Sequence, residues 1–421
     1  MKISGMVLGL AIVIFLGAAS PPVHAQNSSD KDRETAAKLV YGMMSDMRYS
    51  YRAHQLDDAL SSRIFDAYIE ALDPERLRFD PVDRQALEKY RNKLDDSIRR
   101  GALEPIYEIA NARANPDGEQ QSRDEIFELF LNAYARVSDG DGSYKSPFVK
   151  EAAKPRESRM LISARMVDAG GERVGVISVP HLYSTSQQPV GAEVANAIAQ
   201  FNQDGVRALV LDLRGNGGGP LREVMELAEL LLGRGPVMQI REVGGRISVE
   251  RAKAARQWNG RLGMLVDGGT AAGAEMLAAA LQDRGRGIVL GERTFGRGTI
   301  QNPVSLDFAS AAQRRYGVLS LTIAEVFRLN GQPLDGVGVT PDTVLALGTV
   351  RKTRNSHIAV SKAIAAVDGF EQAPQSSDAV KQPVKSRYTS GSQAGTDPFI
   401  TEAALIVQGL TGSESDVPAP D

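Results

Sequence analysis

Three glycine-rich segments hold the residues whose types and spacing bear on chemistry. The first, Asp212-Leu-Arg-Gly-Asn-Gly-Gly-Gly219, follows a dense aliphatic run and precedes a helical pattern. Such a turn brings backbone N–H groups to a helix start, where negative charge is favoured. It lacks the spaced glycines and the Lys-Ser/Thr pair of phosphate-binding loops. The same physics serves an oxyanion hole, and a purely structural turn is the third reading. The second segment, Leu265-Val-Asp-Gly-Gly-Thr-Ala-Ala-Gly-Ala-Glu275, reads as strand, turn and helix. A nucleophile in the first turn of that helix would stand exposed beside N–H donors. Positions 271 to 274 are instead Ala, Ala, Gly and Ala, and only Thr270 offers a hydroxyl. The third segment, Gly291-Glu-Arg-Thr-Phe-Gly-Arg-Gly-Thr-Ile-Gln301, is a glycine-spaced loop carrying Arg297.

A fourth candidate fails. Asp139-Gly-Asp-Gly-Ser143 suggests a calcium loop, but glycine is required at the sixth position and a bidentate acid at the twelfth, where Tyr144 and Lys150 stand. It reads as a turn, and no metal or cofactor is expected.

The elements that position these segments change character near Leu161. Before it, Leu60, Ile64, Phe65, Tyr68, Ile69 and Leu72 recur at helical spacing, and Glu125–Val137 forms another amphipathic stretch. After it, Val174–Val179 and Val206–Leu213 read as strands covered on both faces, with Ala192–Asn202 helical between them. A helix is predicted over Leu221–Leu232. A hairpin is predicted around Gly244-Gly245 and a second over Tyr316–Leu329 with Asn330-Gly331. Leu262–Val266 and Gly287–Leu290 flank a helix at Ala271–Arg284. This alternation predicts one α/β domain behind an all-α domain.

The 421 residues contain no cysteine, carry a formal net charge of -3 and are 42% hydrophobic. The near-neutral balance argues against a nucleic-acid partner. Lys2, an apolar run over Met6–Gly17 and Val23-His24-Ala25 have the layout of a cleaved secretory signal, with cleavage after Ala25. No second apolar run approaches the length of a membrane span. Without cysteine there is neither a disulfide nor a cysteine-borne lipid anchor.

In order and spacing, Asp212–Gly219, Val266–Glu275, Gly291–Gln301 and Val337-Gly-Val-Thr-Pro-Asp342 resemble the C-terminal processing (tail-specific) peptidases, a serine peptidase family. Leu56–Leu72 with Leu94–Arg113 resembles the N-terminal helical domain of the long bacterial periplasmic members, and Asp397-Pro-Phe-Ile-Thr-Glu402 their C-terminal helix. The resemblance implies an α/β protease core of ClpP/crotonase-like strand–helix repeats. It also implies a periplasmic location, with polypeptides as ligands and an active tail-specific protease as a candidate partner. Family members use a serine–lysine dyad. The matching positions here are Ala272 and Arg297, so both members are replaced and a pseudoprotease is expected; an active serine-type endopeptidase is the alternative. Gly218 and Gly273 match the positions whose N–H groups form the oxyanion hole, and Asp283 matches a family aspartate near the site, with a structural role expected here.

The family's PDZ domain, which reads substrate C-termini, has only Phe148–Met160 in its place. The expected organisation is a signal peptide at 1–25, a helical domain at 26–147 and a connector at 148–160. The protease-like core follows at 161–345, a helical extension at 346–372, a flexible linker at 373–396, a terminal helix at 397–411 and a tail at 412–421.

Overall fold

The computed structural model describes residues 28–149 apart from Asp117 and Glu119, then 162–184, 189–308, 315–346, 384–385 and 397–410. The expected signal segment and tail lie outside the described residues, as does nearly all of the connector, helical extension and linker.

Six helices form the N-terminal region: α1 (Asp30–Met44), α2 (Asp58–Leu72), α3 (Pro81–Leu87), α4 (Leu94–Arg100), α5 (Glu104–Ala110) and α6 (Arg123–Asp139). Their starts are written in the side chains. Ser29, Asp57, Asp80 and Ser122 each accept hydrogen bonds from N–H groups of the first turn, which otherwise have no partner. The apolar stripe of α2 packs on α6, with Tyr68 edge-on to Phe130 at 5.3 Å between ring centres. A buried Arg33–Asp124 pair (2.8 Å) ties α1 to α6.

The α/β core is a seven-stranded sheet in the order β12-β11-β8-β7-β4-β3-β2. Its strands are β2 (Ser163–Ala169), β3 (Glu172–Ser178), β4 (Ala208–Asp212), β7 (Arg261–Val266), β8 (Ile288–Gly291), β11 (Thr343–Ala346) and β12 (Val384–Lys385). All neighbours are parallel except the β2–β3 hairpin at one edge. The pleat sorts side chains between two cores. Leu209 and Leu211 of β4 join the cluster beneath α7 (Val190–Gln203), α8 (Leu221–Leu232) and α9 (Gly273–Asp283). Ala208 and Val210 face the other way, onto the terminal helix α10 (Pro398–Gly409). That helix sits close because β7 has Gly263 there: a Cβ would fall 2.4 Å from Val407 Cγ2.

A second sheet runs β1-β10-β5-β6, with β9 also paired to β10. Here β1 is Ser143–Lys145, β5 Gly235–Glu242, β6 Ile247–Ala252, β9 Thr299–Ser305 and β10 Val318–Phe327. The hairpin predicted around Gly244-Gly245 is β5–β6. The second predicted hairpin is corrected. The strands paired with β10 are β1, β5 and β9, all of which precede it, and after Asn330-Gly331 only an isolated Phe327–Pro333 bridge forms. The Asn-Gly turn was a sound local signal, but Pro333 removes an N–H from any longer ladder.

Candidate active site

Strand β7 ends at Val266, and the turn Asp267–Thr270 carries the chain into α9. Thr270 is fully buried, and its hydroxyl donates to the Leu213 carbonyl (2.9 Å) and accepts from the Asp267 N–H (3.0 Å). Asp267 Oδ1 accepts from the Gly215 and Gly269 N–H groups at 2.8 and 3.0 Å. Asn216, also fully buried, gives its carbonyl to the Ala271 N–H (2.9 Å), donates to the Val179 carbonyl (2.7 Å) and accepts from the Gly218 N–H (2.9 Å). The first and second glycine segments are thereby joined into one unit.

At Ala272 the backbone takes φ 49 and ψ -120. With Arg76, it is one of two non-glycine residues at positive φ among the described residues. A side chain at such a strand-to-helix turn is thrust outward, as in a nucleophile elbow. Holding a non-glycine residue there costs roughly 1–3 kcal/mol and persists only when its surroundings over-determine it.

Glu275 supplies that constraint. Its carboxylate is fully buried and accepts four hydrogen bonds. Oε2 takes the N–H groups of Ala272 (2.9 Å) and Arg297 (2.8 Å); Oε1 takes the Gly296 N–H (2.7 Å) and the Thr294 hydroxyl (2.5 Å). Thr294 in turn accepts from the Val339 N–H (2.7 Å), so the closing Val337–Asp342 segment is bound to the same hub. One carboxylate thus holds the elbow and the glycine-spaced loop together.

The two positions expected to form the dyad meet through this hub at their backbones, but the Arg297 side chain has another partner. Its Nε lies 3.1 Å from Asp141 Oδ1, and its guanidinium stacks 5.1 Å from the centre of the Phe295 ring. Asp141 belongs to the Asp139–Ser143 turn between the helical region and β1, and its Oδ2 also accepts from the Thr299 hydroxyl (2.6 Å). From the same side, Arg52 pairs with Asp335, whose Oδ1 accepts from the Gly298 N–H (3.2 Å). The helical region therefore clamps both flanks of Arg297.

Gly218 (φ +93) lies against the elbow: a Cβ there would stand 2.7 Å from the Gly273 nitrogen and 2.8 Å from Ala272 Cβ. Its own N–H is spent on Asn216, whereas the Gly273 N–H opens α9, where no intrahelical acceptor precedes it. Asp283 is at the opposite end of α9, about 15 Å away at 1.5 Å per residue. There it pairs with Arg328 and accepts from the Leu329 N–H (3.1 Å). Glycine-segment residue Arg214 bridges Asp212 (2.8 Å) and Asp397 (2.7 Å), the residue that caps α10. The Asp212 and Asp397 carboxylates raise the Arg214 guanidinium further above its ordinary value. Burial works to raise the Asp397 carboxyl, but the Arg214 hydrogen bond and charge outweigh it and leave the group below the usual carboxylate range.

Sequence reasoning missed Glu275 as the hub and Asp141 as the partner of Arg297. Glu275 was visible as the last residue of the small-residue motif, and Asp141 as an acid in a turn with no calcium-loop spacing.

Residues 173–345 match the model of peptidase family S41, and residues 43–115 that of the tail specific protease N-terminal domain. The tail-specific protease of Haemophilus influenzae is 37% identical over 174 residues, 41% of this chain and 24% of that protein. The chloroplastic C-terminal processing peptidase of Tetradesmus obliquus is 35% identical over 189 residues, 45% of this chain and 38% of that one. A solved photosystem II D1 C-terminal processing protease aligns with a TM-score of 0.38 at 29% identity, over 43% of this chain and 47% of the other. The chain thus spans well under half the length of these curated relatives. It carries a peptidase family S41 domain over residues 173–345 behind a tail-specific protease N-terminal domain over residues 43–115.

Proposed function

We propose that the chain is an exported, periplasmic pseudoprotease that binds peptide segments on a retained protease scaffold or modulates an active envelope protease. The observation that carries this reading is Ala272 itself: a methyl group held at the outward-facing, strained position of the elbow. A methyl group has no lone pair with which to attack a carbonyl. The Arg297 guanidinium stays protonated in proteins and cannot serve as a general base, and it is paired with Asp141. Losing the nucleophile leaves only what binding and an oxyanion site supply.

The other hydroxyls near the site support the same reading. Thr270 is buried and both ends of its hydroxyl are committed. Ser184 donates to Glu223 (2.7 Å) and accepts from the Val190 N–H (2.9 Å), the bonding of a loop-to-helix junction. Ser186 lies outside the described residues. What the scaffold retains is a helix start with the Gly273 N–H, and on the neighbouring loop the exposed Phe295 ring. The first suits a peptide carbonyl or carboxylate, the second an apolar side chain.

Fluorescent peptides with free C-termini and a purified active tail-specific protease are the probes for this reading. The mature chain is expected to bind the peptides or to change the protease's rate on a protein substrate. A chain that does neither is not a peptide-binding pseudoprotease.

A further inference from the structure

Well away from the elbow, one end of the helix layer gathers cations. Helix α8 runs into Gly233-Arg234-Gly235, and α9 into Arg284-Gly285-Arg286. The loop after β6 brings Arg256 to the same place. Gly235 is paired with Ala252 across the β5–β6 ladder, and the Gln257 and Trp258 N–H groups donate to the Leu230 carbonyl at 2.8 and 3.2 Å. Gly233 lies against the Arg256 backbone, where a Cβ would come within 3.0 Å of its nitrogen.

Two of these arginines are fixed by neutral carbonyls. Arg284 donates to Arg234 (3.0 Å) and Gly233 (3.5 Å), and Arg286 to Leu231 (2.9 Å), Trp258 (2.7 Å) and Gly260 (3.0 Å). A helix C-terminus favours such cations. Gly235 makes room for one of them, since a Cβ there would fall 2.8 Å from Arg284 Nη1. Arg256 commits only its Nε, to Asn259 Oδ1 (2.7 Å).

Among the described residues, none of the four arginines Arg234, Arg256, Arg284 and Arg286 forms an ion pair with a carboxylate. The acids on these segments bond elsewhere or make no bond to these arginines. Glu229 accepts from the backbone N–H of Lys253, and Asp283 is taken by Arg328. Glu250 shares a face of β6 with Ala252, the partner of Gly235, without an ion pair to these arginines. Burial first, and then the Arg256 charge, push the Arg286 guanidinium down to about 10 and lower Arg284 as well.

We propose that this end of the molecule binds a phosphate-type oxyanion, gripped by Arg256 and Arg284, with the carbonyl-held Arg286 beside them and Arg234 adding positive charge. Guanidinium forks match the paired oxygens of a phosphate, and two of the three are already held in place. Free phosphate and the phosphodiester of a lipid headgroup present the same chemistry, and the test separates them.

The purified full chain is melted in inorganic phosphate and in chloride at equal ionic strength, beside Arg256→Ala. Arg256 is exposed and has a single side-chain hydrogen bond, so the variant folds. In chloride the variant is expected to melt no lower than the wild type, because a like charge has been removed from Arg284 and Arg286. In phosphate the wild type alone is expected to gain, its affinity being about tenfold higher than the variant's. Co-sedimentation with phosphatidylglycerol vesicles, absent with phosphatidylcholine and competed by phosphate, assigns the site to headgroups; a phosphate response without sedimentation assigns it to free phosphate. The proposal is overturned if phosphate protects no better than chloride, or if Arg256→Ala responds as the wild type does.

Discussion

Replacing Glu275 with glutamine leaves the shape of the hub and removes half of its accepting capacity. The carboxylate receives three backbone N–H groups and one hydroxyl, all buried. If the amide oxygen takes the Ala272 and Arg297 N–H groups, the NH2 faces the Gly296 N–H across 2.7 Å, donor against donor. The Thr294 hydroxyl can turn to accept, so one backbone N–H is stranded. A stranded buried donor costs about 1–3 kcal/mol, and the two surviving bonds fall from charge-assisted to neutral strength, about 1 kcal/mol each. The sum is about 3–5 kcal/mol. The opposite orientation strands two N–H groups and is worse. Because the loss is local, the assay is amide hydrogen exchange by NMR at Ala272, Gly296 and Arg297. At 1.4 kcal/mol per decade, exchange there should accelerate roughly a thousandfold, with α1–α6 unaffected. Acceleration of less than about tenfold in a folded Glu275→Gln protein refutes the hub.

Ala272→Gly relieves the positive φ and should raise stability by about 1 kcal/mol, read as a higher urea midpoint at constant slope. Gly218→Ala drives a methyl group onto the Gly273 nitrogen and the Ala271 carbonyl, which are backbone and cannot swing aside. With its left-handed φ this costs about 2–3 kcal/mol, and peptide binding should be lost with it. Asp397 has a folded-state pKa below its unfolded value, so its contribution is complete at neutral pH. That contribution is lost as the pH falls through the folded-state value, below the ordinary carboxyl pKa of about 3.9. Limited proteolysis should therefore release α10 on acidification in the wild type, and Asp397→Asn should abolish that pH-dependent step.

Much of the fold was legible because its period is local. The aliphatic run at β4 and the amphipathic stretch Leu221–Leu232 announce themselves in a few residues, and α8 spans that same range. The order of the strands is not local information, and the pairing of β9 with β10 hid behind a nearer Asn-Gly signal. The site divides in the same way. That Ala272 and Arg297 stand where a dyad would be follows from motif spacing, whereas the conformation of Ala272 follows from a carboxylate three residues on. The partner of Arg297 could not be seen at all: Asp141 is distant in sequence and arrives only because β1 pairs with β10. For the same reason Asp283, adjacent to the motif along the chain, lies a whole helix away from it.

Cleavage of an unstructured protein by the purified mature chain, with a serine-directed fluorophosphonate probe in parallel, tests the central claim most directly. No cleavage and no labelling are expected, because the elbow presents a methyl group and the Thr270, Ser184 and Thr294 hydroxyls are committed. Cleavage that follows the protein through purification, with labelling of a residue in its core, would contradict it.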